Sequence, residues 1–327
     1  MAACQPDNIP DKVLNSAQPL ILRGLVEQWP MVQAAKASAQ QAVEYLGQFS
    51  SEEPLTVYRG GPEIEGRVFY NADLSGFNFD VARLPLAEVV SELMQNIDQP
   101  QAPMLYVGST MIDKWLPGFR AENNIALDEH DPLVSIWLGN QSRIAAHYDF
   151  ASNIACCVAG RRRFTLFPPE QLDNLYVGPL DFTPAGQPIS MVDFANPDFE
   201  RFPKFREALK HAQVVELEPG DALLIPSMWW HHVESLEGFN VLVNYWWRNS
   251  PSFMGAPLNV LQHAMMGLRD LPPEQRSVWQ HIFEHYVFDP KDENFEHIPE
   301  RSRGVLNAMT KDSTNGIRSL LLNRLKR

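Results

Sequence analysis

The sequence predicts a mainly β protein with flanking helices, and three observations lead there. From about residue 131 to 249, short runs rich in Val, Ile, Leu, Phe and Trp recur between turn residues, the texture of a sandwich or barrel. The 26 prolines are spread along the chain rather than clustered, as many turns between short strands require. On both sides of this region the apolar residues change to helical spacing. A chain of 327 residues with 45% apolar content can bury one large core with smaller appendages.

Residues 1–130 read as a mixed α/β segment packing on the core. "PLILRGLV" (residues 19–26) and "LTVYRG" (residues 55–60) read as strands. "SAQQAVEYLGQF" (residues 38–49) is helical, with Ala42, Tyr45 and Leu46 on its apolar side. "PLAEVVSELMQNI" (residues 85–97) opens with proline at a helix N-terminus and repeats apolar residues at Leu86, Val89, Val90 and Leu93. "PMLYVGS" (residues 103–109) is again a strand. The β core, residues 131–250, holds "LVSIWLG", "RIAAHYDF", "NIACCVAG", "RRFTLFPP", "QVVELEPGDALLIP" and "VLVNYWW". Its less regular stretch, Val177 to Leu209, reads as an insert between strands. Residues 251–327 form a C-terminal helical segment. There, "APLNVLQHAMMGLRDL", "PPEQRSVWQHIFEHYVF" and "STNGIRSLLLNRLKR" carry apolar stripes at helical spacing.

Composition narrows the function. A net charge of −13 repels phosphate backbones, and the basic runs "GRRRF" and "NRLKR" are short, so no nucleic-acid partner is expected. The cysteines are Cys4, Cys156 and Cys157. Their odd number, with two adjacent on a strand and facing opposite ways, is no disulfide framework. Reduced thiols and an N-terminus without a signal-peptide pattern point to the cytoplasm. No apolar run approaches the roughly 20 residues that span a bilayer, so no membrane partner is expected.

The chemistry lies in two distant stretches. In "AAHYDF", His147 and Asp149 are two apart, and on a strand that spacing turns an imidazole and a carboxylate to the same side. "PSMWWHHVESL" follows a short strand ending in proline and offers His231 or His232 as a third ligand. Two histidines and a carboxylate on one face of a metal leave positions open for co-substrate and oxidant, the arrangement of non-haem Fe(II) oxygenases. The order of these parts suits a double-stranded β-helix. A competing motif, "HIFEH" from His281 to His285, has the spacing of some zinc peptidases. It lacks a placed third ligand and shares its helix with Trp279, Ile282, Phe283 and Tyr286, so a solvated helix face explains it better.

The segments "HYD", "GRRRFTLFPPEQ", "NLYVGPLD", "PGDALLIPSMWWHHVESL" and "VNYWW" together resemble the JmjC-type cupin family, closest in look to its asparaginyl hydroxylases. The likeness covers most of residues 103–250 and, more weakly, the N-terminal third. It implies a jelly-roll core, and Fe(II), 2-oxoglutarate and O₂ as cofactor and co-substrates. It also implies His147, Asp149 and His231 as catalytic metal ligands, with His232 turned away and Trp229 and Trp230 in the core. The implied reaction is hydroxylation of a C–H bond, with a protein side chain as target; a small molecule stays open, as does demethylation through a hydroxylated N-methyl group.

If "RRFTLF" is a strand, Arg162, Phe164 and Leu166 share a face, and a cation among apolar residues needs an anionic partner. A carboxylate suits it, and the resemblance places a basic residue there for the distal carboxylate of 2-oxoglutarate; a structural ion pair is the alternative. By resemblance Tyr106 donates to the same carboxylate, and Asn153 and Asn244 lie near co-substrate and metal. Asn244 and Trp246, two apart, both face the interior. A family threonine three residues before the first ligand is Ile144 here, so one hydroxyl of the clamp is missing. Two rivals remain, a metal-dependent cupin enzyme without 2-oxoglutarate and a non-catalytic binding module. The C-terminal helices, with the family likeness, predict a homodimer.

Overall fold

The computed structural model describes residues 4–184 and 186–326. The first three residues, one residue of the 177–209 insert and the last of the C-terminal basic run lie outside the described residues. Among the described residues, thirteen strands carry the first part of the chain. They are β1 (Leu20–Leu22), β2 (Leu55–Gly60), β3 (Arg67–Val68), β4 (Asp80–Leu84), β5 (Met104–Met111), β6 (Leu133–Gly139) and β7 (Ser142–Tyr148). β8 (Ser152–Ala159), β9 (Arg162–Phe167), β10 (Gln213–Leu217), β11 (Ala222–Ile225), β12 (Trp230–Ser235) and β13 (Asn240–Trp247) follow. They form an eight-stranded sheet, β1-β11-β8-β13-β6-β5-β2-β4, and a five-stranded sheet, β10-β9-β12-β7-β3. β3 runs parallel to β7, and the other pairs are antiparallel. This is a jelly-roll sandwich with flanking helices.

Alternation along the strands sorts the side chains into layers. Between the sheets lies an apolar cluster with Tyr106, Ile144, Ala155, Cys157, Phe164, Leu166, Leu223, Ile225 and Leu242. The outer face of the large sheet, with Ile154, Cys156, Val241 and Val243, is covered by Met31, Val32, Ala42, Leu46, Val89 and Leu93. These come from the helices Pro30–Ala37, Ala39–Gly47 and Leu86–Gln95. The adjacent cysteines do face opposite ways, one into each layer. The outer face of the small sheet, with Ala146, Phe167 and Trp230, is covered by Leu175 and by Val192 and Phe205 of the insert.

The residues before 131 supply strands to both sheets. β1 caps one edge of the large sheet through β11, and β5, β2 and β4 extend its other edge beyond β6. The strand expected over residues 19–26 is only Leu20–Leu22. Gly24 turns the chain at φ +67°, and the Asp221 carboxylate takes its N–H at 3.0 Å, so the strand cannot continue. The insert is more regular than its sequence suggests. It bridges to β7 at His147–Ile189, and contains the helix Phe205–Lys210.

The chain divides into two compact units, residues 1–249 and 250–327. The second contains the helices Pro257–Leu268, Pro273–Phe283 and Lys311–Leu325, the last closed by a capping box between Thr310 and Ser313. "HIFEH" ends the middle helix and enters a π-helical turn, Glu284–Phe288. Among the described residues no helix is long and apolar enough to cross a membrane.

Candidate metal centre and adjoining pocket

β7 ends at Tyr148, so His147 is its last inward residue and Asp149 follows just past the strand. His231 is the second residue of β12, and register places it directly opposite His147 on β7 and Leu166 on β9. The two imidazole centroids lie 4.3 Å apart, and His231 Nε2 is 3.6 Å from Asp149 Oδ2. One nitrogen or oxygen from each of the three residues falls within 4.8 Å of the others, and among the described residues this is the His/Cys/Asp/Glu group that could hold a metal.

The backbone selects the coordinating nitrogens. His147 Nδ1 is 2.9 Å from the Ala145 carbonyl and His231 Nδ1 is 3.0 Å from the Trp229 carbonyl. A carbonyl only accepts, so each Nδ1 carries the proton and each Nε2 keeps its lone pair for a metal. Burial, then the neighbouring His147, pushes His231 down to about 4, against the pull of Asp149. His231 is therefore neutral at pH 7, the form that binds metal. Asp149 is fixed from two sides. Trp246 Nε1 donates to its Oδ2 at 3.1 Å, and its backbone carbonyl accepts from Met228 N at 2.8 Å. Met228 makes that contact from the left-handed region, at φ +68°. The donor set thus fits a divalent metal bound by two imidazoles and a carboxylate.

Arg162 and its strand neighbours divide as alternation requires. Arg163 faces outward to Glu216 and Glu234, while Arg162, Phe164 and Leu166 are buried. Arg162 is 3% exposed, its Nε has no hydrogen-bond partner, and no carboxylate among the described residues lies within ion-pairing distance of it. Burial draws its pKa below the ordinary value, with Cys157 and Tyr106 the nearest opposing influences. A structural ion pair is therefore not what Arg162 makes. The same burial holds the Tyr106 hydroxyl protonated, and so a donor. A cation and a hydroxyl on the inner faces of the sheets, with no carboxylate among the described residues within ion-pairing distance, fit one carboxylate of a bound dicarboxylate.

The model of the cupin-like domain family matches residues 6–253. The chain belongs to the cupin-like family. Among its relatives, HSPB1-associated protein 1 of Homo sapiens is 38% identical over 114 residues, 34% of this chain and 23% of that protein. Lysine-specific demethylase JMJ31 of Arabidopsis thaliana is 34% identical over 118 residues, 36% of this chain and 21% of that protein. tRNA wybutosine-synthesizing protein 5 of Gallus gallus is 32% identical over 148 residues, 41% of this chain and 43% of that protein. The matches therefore span from about a fifth to about two fifths of these curated relatives. The X-ray structure of E. coli ycfD superposes with a TM-score of 0.41 at 16% identity, over 87% of this chain and 68% of that one.

The other residues expected at a JmjC-type site are also on the inner face. Asn244 Nδ2 donates to Asn153 Oδ1 at 2.8 Å, leaving Asn244 Oδ1 buried without a partner. Trp246 sits against the metal end through Asp149, and its indole meets Trp137 edge-on at 5.7 Å. Ile144 joins the apolar wall beside Phe164. His232 turns to the opposite side of β12, where its ring lies 4.7 Å from Phe194; burial pushes it down to about 3. Trp229 and Trp230 are buried in opposite layers, as the resemblance implies, while Met228 before them is 38% exposed. Two participants escape the sequence reading. The Met228 N–H that holds Asp149 acts through backbone conformation, which carries no residue signal. Trp137 does carry one, since alternation with Ser135 and Gly139 on β6 turns it inward.

Proposed function

We propose that this protein is an Fe(II)- and 2-oxoglutarate-dependent dioxygenase that hydroxylates a C–H bond, with a protein side chain as target. The observation that carries the reading is the pairing of two features on the inner faces of the two sheets. One is a two-histidine, one-carboxylate group with both Nε2 lone pairs free. The other is a buried guanidinium with no carboxylate in ion-pairing distance among the described residues. A zinc or iron site without a dicarboxylate needs the first feature but leaves the second without a purpose.

In this reading His147, Asp149 and His231 hold the iron, and Arg162 and Tyr106 hold the distal carboxylate of 2-oxoglutarate. When bound, iron with 2-oxoglutarate and O₂ supplies a two-electron oxidation of a C–H bond, releasing succinate and CO₂. The protein's part is positional. Trp246 fixes the rotation of the Asp149 carboxylate, the Met228 N–H holds the Asp149 backbone carbonyl, and the Ala145 and Trp229 carbonyls fix the two imidazoles. The Asn153–Asn244 pair lines the cleft, and its free Oδ1 accepts a hydrogen bond from a bound molecule or water. Ile144, Phe164, Leu166 and Leu242 keep water from the remaining wall.

The relatives' names speak of lysine demethylation in one case and of tRNA modification in another. A net charge of −13 favours a protein or small-molecule target over a polyanion, and a cytoplasmic location is part of the proposal. The test is a turnover assay in which 2-oxoglutarate is converted to succinate in the presence of Fe(II), O₂ and candidate peptides or metabolites. His147→Ala serves as the blank. Iron-dependent succinate that the blank lacks is expected; iron-loaded wild-type protein that forms no more succinate than the blank overturns the reading.

A further inference from the structure

We infer that Trp137 is a positioning residue of the co-substrate pocket, donating its indole N–H to a carboxylate oxygen of bound 2-oxoglutarate. This rests on the dioxygenase reading above. Trp137 Nε1 is buried and has no hydrogen-bond partner. Buried indole N–H groups ordinarily find acceptors, because an unmade bond costs the full desolvation of the donor. In this chain Trp29, Trp115, Trp229 and Trp246 all do, on Asn124 O, Pro54 O, Ala17 O and Asp149 Oδ2. Trp247 also lacks a partner, but it belongs to the apolar cluster on the helix-covered face, away from the cleft.

The place of Trp137 distinguishes it. Its ring lies 6.0 Å from that of Tyr106, beside Arg162, and 5.7 Å from that of Trp246, which holds Asp149. It therefore spans the interval between the guanidinium and the metal-ligand group, the path an extended dicarboxylate occupies when it bridges the two. The facing wall offers no competing acceptor, since Ile144, Phe164 and Leu166 are apolar. Two donors without acceptors, Arg162 Nε and Trp137 Nε1, thus lie between the two sheets. An anion with several carboxylate lone pairs satisfies both at once.

The test uses the full chain loaded with Zn(II), which holds the metal position without redox chemistry. Binding of 2-oxoglutarate is measured by calorimetry for wild type, Arg162→Met and Trp137→Phe, and ¹⁵N-indole spectra follow the wild-type Trp137 N–H. Arg162→Met should abolish measurable binding. Trp137→Phe should weaken it by about tenfold, the loss of one charge-assisted bond, while metal affinity and thermal midpoint stay at the wild-type values. The wild-type Trp137 indole proton should move downfield on addition of 2-oxoglutarate. If wild type and Arg162→Met bind as expected but Trp137→Phe binds within twofold of wild type and the indole resonance does not move, the inference about Trp137 falls and the dioxygenase reading stands. If wild type binds no 2-oxoglutarate, both fall.

Discussion

Arg162 is the residue whose environment is least balanced. A guanidinium 3% exposed, with no carboxylate in reach among the described residues, costs folding energy. Arg162→Met should therefore raise the stability of the ligand-free protein, by on the order of 1–3 kcal/mol. The same change should erase the rise in thermal midpoint that 2-oxoglutarate gives the metal-loaded wild type. Scanning calorimetry with and without 2-oxoglutarate checks both; a destabilised variant that still responds to 2-oxoglutarate contradicts the assignment. The buried imidazoles set the pH response. His231 and His232 are pushed down to about 4 and about 3, while in the unfolded chain both titrate near the ordinary value of about 6.5. As pH falls below that value the unfolded state binds protons first, so stability of the metal-free protein is complete above it and drains towards the folded values. Urea midpoints should fall steadily between about pH 7 and about pH 4.5, and His232→Leu should remove part of the slope. The His-x-Asp pair was legible from residue spacing alone, and so was the inward face of Arg162. The missing partners of Arg162 and Trp137 were not, because an unmade hydrogen bond is visible only when every neighbour has its place.

At the scale of elements, β7, β8, β9 and β13 could be read from the sequence because each carries an apolar run or alternation between turns. β12 could not. Its sequence, "WHHVES", has one aliphatic residue, and it is a strand because it lies between β7 and β9 with Trp230 and His231 facing opposite layers. Tertiary pairing, not local propensity, decides such a strand. The helices over residues 38–49 and 85–97 were legible through their apolar stripes, and Ser38 caps the first by accepting from Gln41 N. Strand order was not, since period-two alternation says which face is buried but not which strand lies alongside. One turn controls the register that matters most. Gly160 joins β8 to β9 at φ +67°, and a Cβ there would stand 2.4 Å from Asn240 Oδ1 and 2.5 Å from the Phe239 carbonyl. Gly160→Ala should cost at least about 1–3 kcal/mol from backbone strain alone. Because Arg162 is two residues on, it should also weaken 2-oxoglutarate binding, measured on the folded fraction by calorimetry. A variant of unchanged stability would contradict the account of this turn.

Over the whole molecule, the two units differ in how they meet water. The first, residues 1–249, buries its apolar residues in three layers around the two sheets. In the second, Phe295 is the one buried apolar side chain among the described residues, while Val260, Leu261, Met266, Val278, Trp279, Phe288, Leu321 and Leu322 are exposed. So much unpaired apolar surface on helices is what an obligate interface exposes when its partner is taken away. We propose that a second copy of this chain covers it, through the C-terminal helices. Light scattering should give a dimer for the full chain and a monomer for a truncation at about residue 255; a truncated protein that remains dimeric contradicts that route. The central claim is narrower than the fold, the substrate or the assembly. It is that His147, Asp149 and His231 share one ferrous ion, and an anaerobic crystal structure of the Fe(II)-loaded protein tests it most directly. One ion per chain should appear, bonded to Nε2 of both histidines and a carboxylate oxygen of Asp149 at about 2.0–2.2 Å. Iron at saturating concentration that binds elsewhere, or leaves this cluster empty, would contradict the account.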